Sequence, residues 1–205
     1  MEILDTRAKV YSIHSQAQTA QLAKDNICYL LPNFAKSLHL NVNDILNSID
    51  FDKKVTSSNR YTAYLGNVPY SYSYAYHKAL NISENPLIET CLEAVNNCFD
   101  DAELNTVLIN YYPDGSSKLN FHSDDEVEIV DDSFIFTLSL GHSRNIVFRS
   151  LEHKIHIAKV LLEDSSLLLF SKASQHIYQH AILPETGASE RISLTFRKLK
   201  NKIDS

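Results

Sequence analysis

The sequence predicts an α+β fold, in which a helical first half precedes a strand-rich second half. In the first half, the segment NPLIETCLEAVNNCF at residues 85–99 carries apolar residues at helical spacing. From residue 106 onward, short segments rich in β-branched and aromatic residues alternate with turn signals such as PDG and PETG. Helices followed by a run of strands are typical of an α+β domain whose C-terminal half is a sandwich or a barrel.

Three segments predict helices in the first hundred residues. TAQLAKDN, at residues 19–26, predicts a short helix, and VNDILNSI, at residues 42–49, has apolar residues at helical spacing. The third, at residues 85–99, has a proline near its start and one apolar stripe, formed by Leu87, Cys91, Leu92, Val95 and Phe99. No repeat, low-complexity tract or linker divides the chain. A single domain over residues 1–205 is therefore expected, with a helical part at 1–105 and a strand-rich core at 106–199.

The composition describes an ordinary globular protein, with 44% apolar and 21% charged residues among 205. No apolar run approaches the ~20 residues that cross a bilayer. The N-terminus lacks a signal-peptide pattern, so an intracellular location, cytoplasmic or nuclear, is expected, with no membrane partner. Cys28, Cys91 and Cys98 are predicted to be buried apolar groups. The net charge of −6 argues against tight binding of duplex nucleic acid, which depends on many basic contacts with phosphates.

The segment FHSDDE, at residues 121–126, concentrates metal-binding and proton-binding groups. His122 and Asp124 are two positions apart, so on a strand their side chains point to the same face. An imidazole and a carboxylate on one face supply two of the three ligands of a facial triad, which binds non-haem Fe(II) and leaves coordination positions open. When the segment is taken alone, a solvated acidic turn accounts for the same residues.

A third ligand has to come from another part of the chain. The segment SKASQHIYQHAILP offers His176 and His180, and its strand-like and proline-containing flanks favour an extended conformation over a helix. On an extended segment both imidazoles lie on one face, so this geometry does not choose between them. The other histidines are predicted to be surface or hydrogen-bonded residues: His14, His39, His77, His142, His153 and His156.

The last strand segment, ERISLTFRK, alternates strictly between two kinds of side chain. Arg191, Ser193, Thr195 and Arg197 share one face, and Ile192, Leu194 and Phe196 share the other. Guanidinium groups are costly to bury unless an anion meets them. A dicarboxylate co-substrate would satisfy both arginines through forked hydrogen bonds, and the nearby metal-ligand pattern favours this interpretation. The alternative is an edge strand whose polar face lies in water.

Taken in order, these motifs resemble the AlkB family of Fe(II)- and 2-oxoglutarate-dependent dioxygenases. LINYYPDG and FHSDDE are similar to the family's asparagine-x-tyrosine strand, turn and HxD element, and FTLSLGHSRNIVFR to the two strands that follow. HAILP resembles the segment with the distal iron histidine, and RISLTFR resembles the closing arginine strand. RYTAYLGNVPYSYS is similar to the nucleotide-recognition lid of the family's repair members. The resemblance implies a double-stranded β-helix (jelly-roll) core with N-terminal helices packed against it and a nucleotide-recognition lid.

The resemblance also implies residue roles. His180 matches the family's distal ligand and would hold Fe(II) together with His122 and Asp124. O2 is the further reactant, and 2-oxoglutarate would be bound by a second set: Asn110, Tyr112, Arg191, Ser193 and Arg197. Arg191 would face the distal carboxylate of 2-oxoglutarate, and Arg197 would lie nearer the iron.

The chain departs from the family pattern at three places. SerSer, at residues 165–166, stands where relatives often have a glycine before the strand that leads to the distal histidine. Ser193 replaces a common asparagine, and His142 follows SLG where a small residue is usual. None of these changes removes a metal ligand, but they affect the shape of the pocket and its affinity for 2-oxoglutarate.

The implied reaction is oxidative demethylation of N-alkylated bases, such as 1-methyladenine and 3-methylcytosine, in single-stranded DNA or RNA, with release of succinate, CO2 and formaldehyde. PYSYSYAY, at residues 69–76, has tyrosines at every second position, which suits either a packed strand or a stacking platform for an unpaired base. Its match to the lid favours stacking, with Tyr72 against the base and Tyr70 near a phosphate. Asp125 and Glu126 would read the base's exocyclic amine or face solvent.

The expected phosphate contacts are Arg60, Lys53, Lys54 and the C-terminal lysines, and a monomer is expected. Few basic residues and an aromatic lid favour single strands over duplex. Two alternatives keep parts of this interpretation. One is a 2-oxoglutarate oxygenase that acts on a protein side chain, and the other is a catalytically silent nucleic-acid-binding module.

Overall fold

The computed structural model describes residues 28–51, 53–66 and 81–200, and five separate two-residue strands. Its sixteen described strands are the following: β1 (Glu2–Ile3), β2 (Tyr11–Ser12), β3 (Gln21–Leu22), β4 (Tyr29–Leu31), β5 (Lys53–Val55), β6 (Arg60–Gly66), β7 (Ser71–Tyr72), β8 (Ala75–Tyr76), β9 (Thr106–Tyr112), β10 (Leu119–His122), β11 (Phe134–Gly141), β12 (Arg144–Ser150), β13 (His156–Leu162), β14 (Leu167–Ser171), β15 (Tyr178–Ile182) and β16 (Arg191–Arg197). Two α-helices are described, α1 (Val42–Ser48) and α2 (Pro86–Asn96).

Two antiparallel sheets form the core, as expected for a jelly roll. The larger has the order β3-β4-β14-β11-β16-β9-β6-β5, and the smaller has the order β10-β15-β12-β13. Residues 106–197 supply four strands to each sheet. Apolar side chains of both sheets pack together between them, among them Tyr112, Ile135, Phe148 and Ile182. The space between the sheets is therefore part apolar core and part pocket.

The helices cover the outer face of the larger sheet. Asn41 caps α1 through a reciprocal capping box with Asp44, and Asn85 caps α2, which has Pro86 at its first turn. A second apolar core lies between the helices and the larger sheet. Ile88, Cys91 and Val95 of α2 are buried in it. Both helices predicted at these positions are confirmed, although Ile88 lies deeper than the predicted Leu87 and Leu92, which are only partly buried.

The first half contains more strand than its sequence suggested. Gln21–Leu22 form β3, so the helix predicted at 19–26 is wrong at these two residues, and its other six lie outside the described part of the chain. β4, β5 and β6 extend the larger sheet at its two ends. β6 pairs with β9 along its whole length, and Ala63, Tyr64 and Leu65 are buried. Non-local pairing thus overrides the helical character that the composition indicated.

β16 lies in the middle of the larger sheet, between β11 and β9, and all seven of its residues are buried. The alternative of a solvated edge strand is therefore wrong. Ile192, Leu194 and Phe196 point into the core beneath the helices, and the alternate residues face the smaller sheet. The two arginines of this strand are buried charges, and the side chains around them decide what they can bind.

Two of the three cysteines lie in the core, as the sequence predicts. Cys28 and Cys91 are buried and Cys98 is partly buried. Burial raises the pKa of Cys28 to about 12 and that of Cys91 to about 11, so both thiols are uncharged. Within the described residues, no helix is both long enough and apolar enough to span a membrane.

Candidate active site

His122, Asp124 and His180 converge between the sheets. His122 ends β10 and is paired in register with His180 of β15, and their ring centroids are 4.2 Å apart. One potential ligand atom from each of the three residues lies within 4.8 Å of the others. β10 ends at His122, however, so Asp124 lies in the following loop and not on the same strand as expected. Its carboxylate is buried nevertheless, which excludes the solvated turn.

The structure resolves the choice between the two histidines that the sequence left open. His176 ends a 3-10 helix, Lys172–His176, and is exposed. His180 lies on β15 and is 6% exposed. The two residues therefore do not share one extended segment, and only His180 joins His122 and Asp124.

The protonation states of the three groups suit metal binding. The Nδ1 atom of His122 lies 2.9 Å from the carbonyl oxygen of Asn120. A proton on Nδ1 donated to this carbonyl leaves the Nε2 lone pair free, and Nε2 lies 3.6 Å from Asp124 Oδ1. Burial lowers the pKa of His180 to about 3, so its imidazole is neutral at physiological pH.

The carboxylate of Asp124 is ionised despite its burial. Burial alone would raise the pKa of Asp124, but the charge of Arg197, with smaller contributions from His180 and His122, holds it below the ordinary value. Arg197 Nη2 lies 2.9 Å from Asp124 Oδ1. Two imidazoles and one carboxylate form the set of ligands that binds Fe(II) in facial triads.

The buried His180 should make the metal-free protein sensitive to acid. Between pH 6.5, its ordinary pKa, and about 3, the unfolded chain binds a proton at this residue that the folded chain does not. The free energy of unfolding should therefore fall as the pH falls through this range, by up to about 1.4 kcal/mol per pH unit from this residue. Urea denaturation in EDTA at several pH values, with His180→Gln for comparison, measures this contribution. Equal slopes for the two proteins would contradict it.

A buried pocket adjoins the three residues, and Arg191 lies at its wall. Arg191 is 1% exposed, and its Nη2 donates to Ser139 Oγ at 2.9 Å. Its Nε and Nη1 are buried without a hydrogen-bond partner, as is Asn110 Oδ1. The guanidinium carbon lies 5.3 Å from the ring centroid of Tyr112. Buried donors without acceptors are costly, so this wall of the pocket is suited to bind an anion.

The remaining predicted co-substrate residues line the same pocket. Ser193 and Arg197 lie on β16, in register with Asn110 and Thr106 of β9. Arg191 is in register with Tyr112, so the two arginines mark opposite ends of the pocket face, and Arg197 is the one nearer the three convergent residues. The predicted face of the closing strand is thus assembled as expected.

Comparison with known proteins assigns this arrangement to a family. Residues 28–197 match the 2OG-Fe(II) oxygenase superfamily. The chain belongs to this superfamily. The cofactors of these oxygenases are Fe(II), 2-oxoglutarate and O2, and the AlkB-like resemblance of the sequence is confirmed by the relatives that follow.

Two human relatives and one solved structure illustrate the similarity. The oxygenase is 28% identical over 150 residues to human alpha-ketoglutarate-dependent dioxygenase alkB homolog 3. The aligned region covers 67% of this chain and 51% of the relative. It is 32% identical over 103 residues to the human DNA oxidative demethylase ALKBH2, covering 46% of this chain and 40% of the relative. The chain spans about half the length of the curated relatives it matches. The structure of OsALKBH1 shares the fold, with a TM-score of 0.59, 18% identity, and coverage of 84% of this chain and 98% of that one.

The residues of this oxygenase fit its cofactors. The three convergent ligand atoms offer Fe(II) two nitrogens and one oxygen, and the donors of Arg191 that lack an acceptor offer a carboxylate two hydrogen bonds. Within the described part of the chain, His122, Asp124 and His180 form the group of side chains that could hold a metal ion.

Ser139, which contacts Arg191, and Arg60, which lines the pocket, are not predicted as co-substrate contacts by the sequence. Ser139 accepts a hydrogen bond from Arg191, and the alternation of FTLSLG places it on the pocket face. Arg60, which is expected to contact phosphates, lines the pocket, and its Nε and Nη1 are buried without a hydrogen-bond partner. The alternation of Arg60, Thr62 and Tyr64 along RYTAYLG is the sequence signal for this face of β6.

The predicted substrate residues are less fully described. Tyr70 lies outside the described residues, and of Tyr72 the backbone alone is described. β7 pairs antiparallel with β8, with Tyr72 opposite Ala75, so PYSYSYAY is not one continuous strand as expected. Asp125 is exposed, and Glu126 is partly buried with one buried carboxylate oxygen. Neither of these two acids lines the pocket beside the metal ligands in the described part of the chain.

Two of the C-terminal lysines are engaged within the protein. Lys198 forms an ion pair with Glu103, and Lys200 lies 3.3 Å from Asp131 Oδ2. Both would have to exchange a carboxylate for a phosphate in order to bind nucleic acid. Lys202 lies outside the described residues, and so do the side chains of Lys53 and Lys54.

Proposed function

We propose that this chain oxidatively demethylates N-alkylated bases, such as 1-methyladenine and 3-methylcytosine, in single-stranded DNA or RNA. One observation carries the proposal: two imidazoles, one carboxylate and a buried arginine with unused donors line the same pocket. The names of two relatives, a dioxygenase and a DNA oxidative demethylase, support the class of reaction, and the second supports nucleic acid as the substrate.

His122, Asp124 and His180 would hold the metal. His122 is kept in the required tautomer by the carbonyl of Asn120, and burial keeps His180 neutral. Asp124 supplies the negative charge, and Arg197 keeps it ionised. Fe(II) and 2-oxoglutarate bound here would supply the oxidation of substrate by O2, with release of succinate and CO2.

Arg191, Asn110, Tyr112, Ser193 and Arg197 would bind 2-oxoglutarate. A carboxylate of the co-substrate would accept the two unused donors of Arg191. Arg197 would steer the other carboxylate toward the metal ligands, because it already contacts Asp124. Burial of this face between two sheets excludes water and strengthens both charge contacts.

The substrate base would enter from the lid. Tyr72 would stack on it and Tyr70 would contact a neighbouring phosphate, and Asp125 and Glu126 would accept hydrogen bonds from its exocyclic amine. Hydroxylation of an N-methyl carbon gives a hemiaminal, which collapses to formaldehyde and the repaired base. The net charge of −6 supports single strands as substrates, because intact duplex requires neutralisation of more phosphates. A monomer suffices, since all proposed ligands come from one chain.

Methylated oligonucleotides test the proposal directly. With Fe(II), 2-oxoglutarate and ascorbate, mass spectrometry should show methyl loss from 1-methyladenine and 3-methylcytosine, about tenfold faster in single strands than in duplex. Tyr72→Ala should slow the reaction, and His122→Ala should abolish it. Turnover of protein side chains that is unaffected by Tyr72→Ala would favour a protein oxygenase instead. Nucleic-acid binding without turnover by the wild-type chain would indicate a silent binding module.

A further inference from the structure

The loop that carries Asp124 makes three hydrogen bonds with one neighbouring segment, residues 172–178. Because β10 ends at His122, residues 123–125 are not fixed by a sheet ladder. Each of these three residues is instead bonded to the 172–178 segment. Ser123 Oγ donates to the carbonyl of Tyr178 at 3.1 Å, and the Asp124 N–H donates to Gln175 Oε1 at 3.1 Å. Lys172 Nζ donates to the carbonyl of Asp125 at 3.3 Å.

Gln175 makes the central one of these contacts, and its orientation is fixed. Its side chain is buried, at 1% exposure. Its Nε2 donates to Ser174 Oγ at 3.0 Å, and Ser174 Oγ donates to the carbonyl of Ser171 at 2.7 Å. A flipped amide would place Nε2 against the Asp124 N–H and so bring two donors together. The carboxamide oxygen is therefore committed to the backbone of Asp124.

The same segment leads directly into β15 and His180. The hydrogen bond of Gln175 thus ties the loop of one metal ligand to the chain that carries another, only five residues away. The side chain of Asp124 is drawn toward Arg197 at 2.9 Å. Fixing the backbone of Asp124 limits how far its carboxylate can follow Arg197 away from the imidazoles.

We propose that Gln175 is a positioning residue for the metal site, which holds the backbone of Asp124 so that its carboxylate meets His122 and His180. This inference rests on the proposed function, because it takes these three residues as the metal ligands. Gln175 itself has no role in binding the metal or the co-substrate. Partners of metal ligands typically change metal affinity or activity by 10–100-fold when they are removed.

Metal binding to the full-length, metal-stripped chain tests the role of Gln175. Gln175→Leu keeps the side-chain size and removes the acceptor, so calorimetry should show Mn(II) binding about 10–100-fold weaker than in wild type. Gln179→Leu is the matched control, because the oxygen of Gln179 accepts from Arg149 at 2.8 Å and from Lys154 at 3.3 Å. Its Mn(II) affinity should stay within about twofold of wild type.

Turnover kinetics separate positioning from a general loss of structure. Gln175→Leu should raise the Fe(II) concentration needed for half-maximal rate and leave the KM for 2-oxoglutarate unchanged, because Arg191 is not touched. A variant that is merely unstable would alter both values. Ser123→Ala cuts a second hydrogen bond of the same loop at a partly exposed residue, and it should weaken Mn(II) binding about threefold even if Gln175→Leu does not fold.

The outcomes distinguish this inference from the proposed function. If Gln175→Leu and Ser123→Ala bind Mn(II) as tightly as wild type while His122→Ala does not bind it, the positioning role is wrong and the metal site stands. If His122→Ala binds Mn(II) as tightly as wild type, the metal site is wrong and the role of Gln175 fails with it. Weaker binding by both loop variants, with Gln179→Leu unchanged, supports the positioning role.

Discussion

His180→Ala should abolish the proposed demethylation and weaken Mn(II) binding at least about 100-fold, whereas His176→Ala should leave Mn(II) affinity unchanged. His180 is buried on β15 beside His122, and His176 is exposed at the end of a 3-10 helix. The two variants make the same chemical change four residues apart. Calorimetric titration of the metal-stripped proteins measures the Mn(II) affinity. The rate of succinate formation measures the activity of the same variants.

The control for this prediction addresses the cavity that His180→Ala creates. The ring of His180 lies 5.1 Å from that of Phe170 and 6.1 Å from that of Phe148, measured between centroids, so its removal costs packing. His122→Ala removes another proposed ligand whose side chain is 23% exposed, and it should lose metal binding with a smaller loss of stability. Equal Mn(II) affinity in His180→Ala and wild type would rule out His180 as a ligand.

The closing strand was predictable from local pattern alone. Its strict alternation placed Arg191 and Arg197 on one face and Ile192, Leu194 and Phe196 on the other, as the structure has them. The sequence did not reveal that β16 is central. Centrality depends on pairing with β9 and β11, which lie about 80 and 50 residues away in the chain, and alternation does not encode such partners.

At the proposed metal site, local reasoning placed Asp124 beside His122 for a wrong reason. A shared strand face was expected to bring His122 and Asp124 together, but the strand stops at His122. Asp124 arrives through long-range contacts with Gln175 and Arg197, about 50 and 70 residues away. The family resemblance predicts these residues as ligands because a family motif identifies them by their position in the sequence. It requires no knowledge of the long-range contacts that bring them together.

One departure from the family pattern has a structural explanation. Ser165, at the SerSer position where relatives often have glycine, has a φ of 60°. This left-handed backbone conformation favours glycine, since a Cβ atom makes it less stable. The turn before β14 therefore has a backbone conformation that glycine favours, although a serine occupies it. The backbone N–H of Ser165 donates to the Ser139 carbonyl at 2.8 Å.

Arg191→Met should stabilise the cofactor-free protein and at the same time raise the KM for 2-oxoglutarate at least about 100-fold. Burial lowers the pKa of Arg191, and its contact with Tyr112 offsets only part of this effect. Two of its nitrogens are buried without a hydrogen-bond partner, and each such group costs about 1–3 kcal/mol. An apolar side chain of similar length removes this cost, and with it the donors that a carboxylate needs.

Arg144→Met is the matched control, because Arg144 is just as buried but has partners for its charge. Arg144 donates to the carbonyls of Ser117 at 2.9 Å and Leu183 at 2.7 Å, and its Nε lies 3.7 Å from Glu185. Its loss leaves those carbonyls without a donor, so Arg144→Met should destabilise the protein by about 1–3 kcal/mol. Thermal denaturation without 2-oxoglutarate should move in opposite directions for the two variants.

The predicted changes in stability have opposite signs because the two guanidinium groups make different contacts. Both residues are arginines, and both are buried. The fold supplies carbonyl acceptors for both terminal nitrogens of Arg144, and its Nε is the nitrogen that lacks a hydrogen-bond partner, so the fold depends on this arginine. Arg191 donates one hydrogen bond to Ser139 and retains donors for a ligand. Its burial therefore lowers the free energy of unfolding of the ligand-free protein. Added 2-oxoglutarate should therefore raise the melting temperature of wild type and not that of Arg191→Met. A lower melting temperature for ligand-free Arg191→Met than for wild type would mean that Arg191 is a structural residue like Arg144.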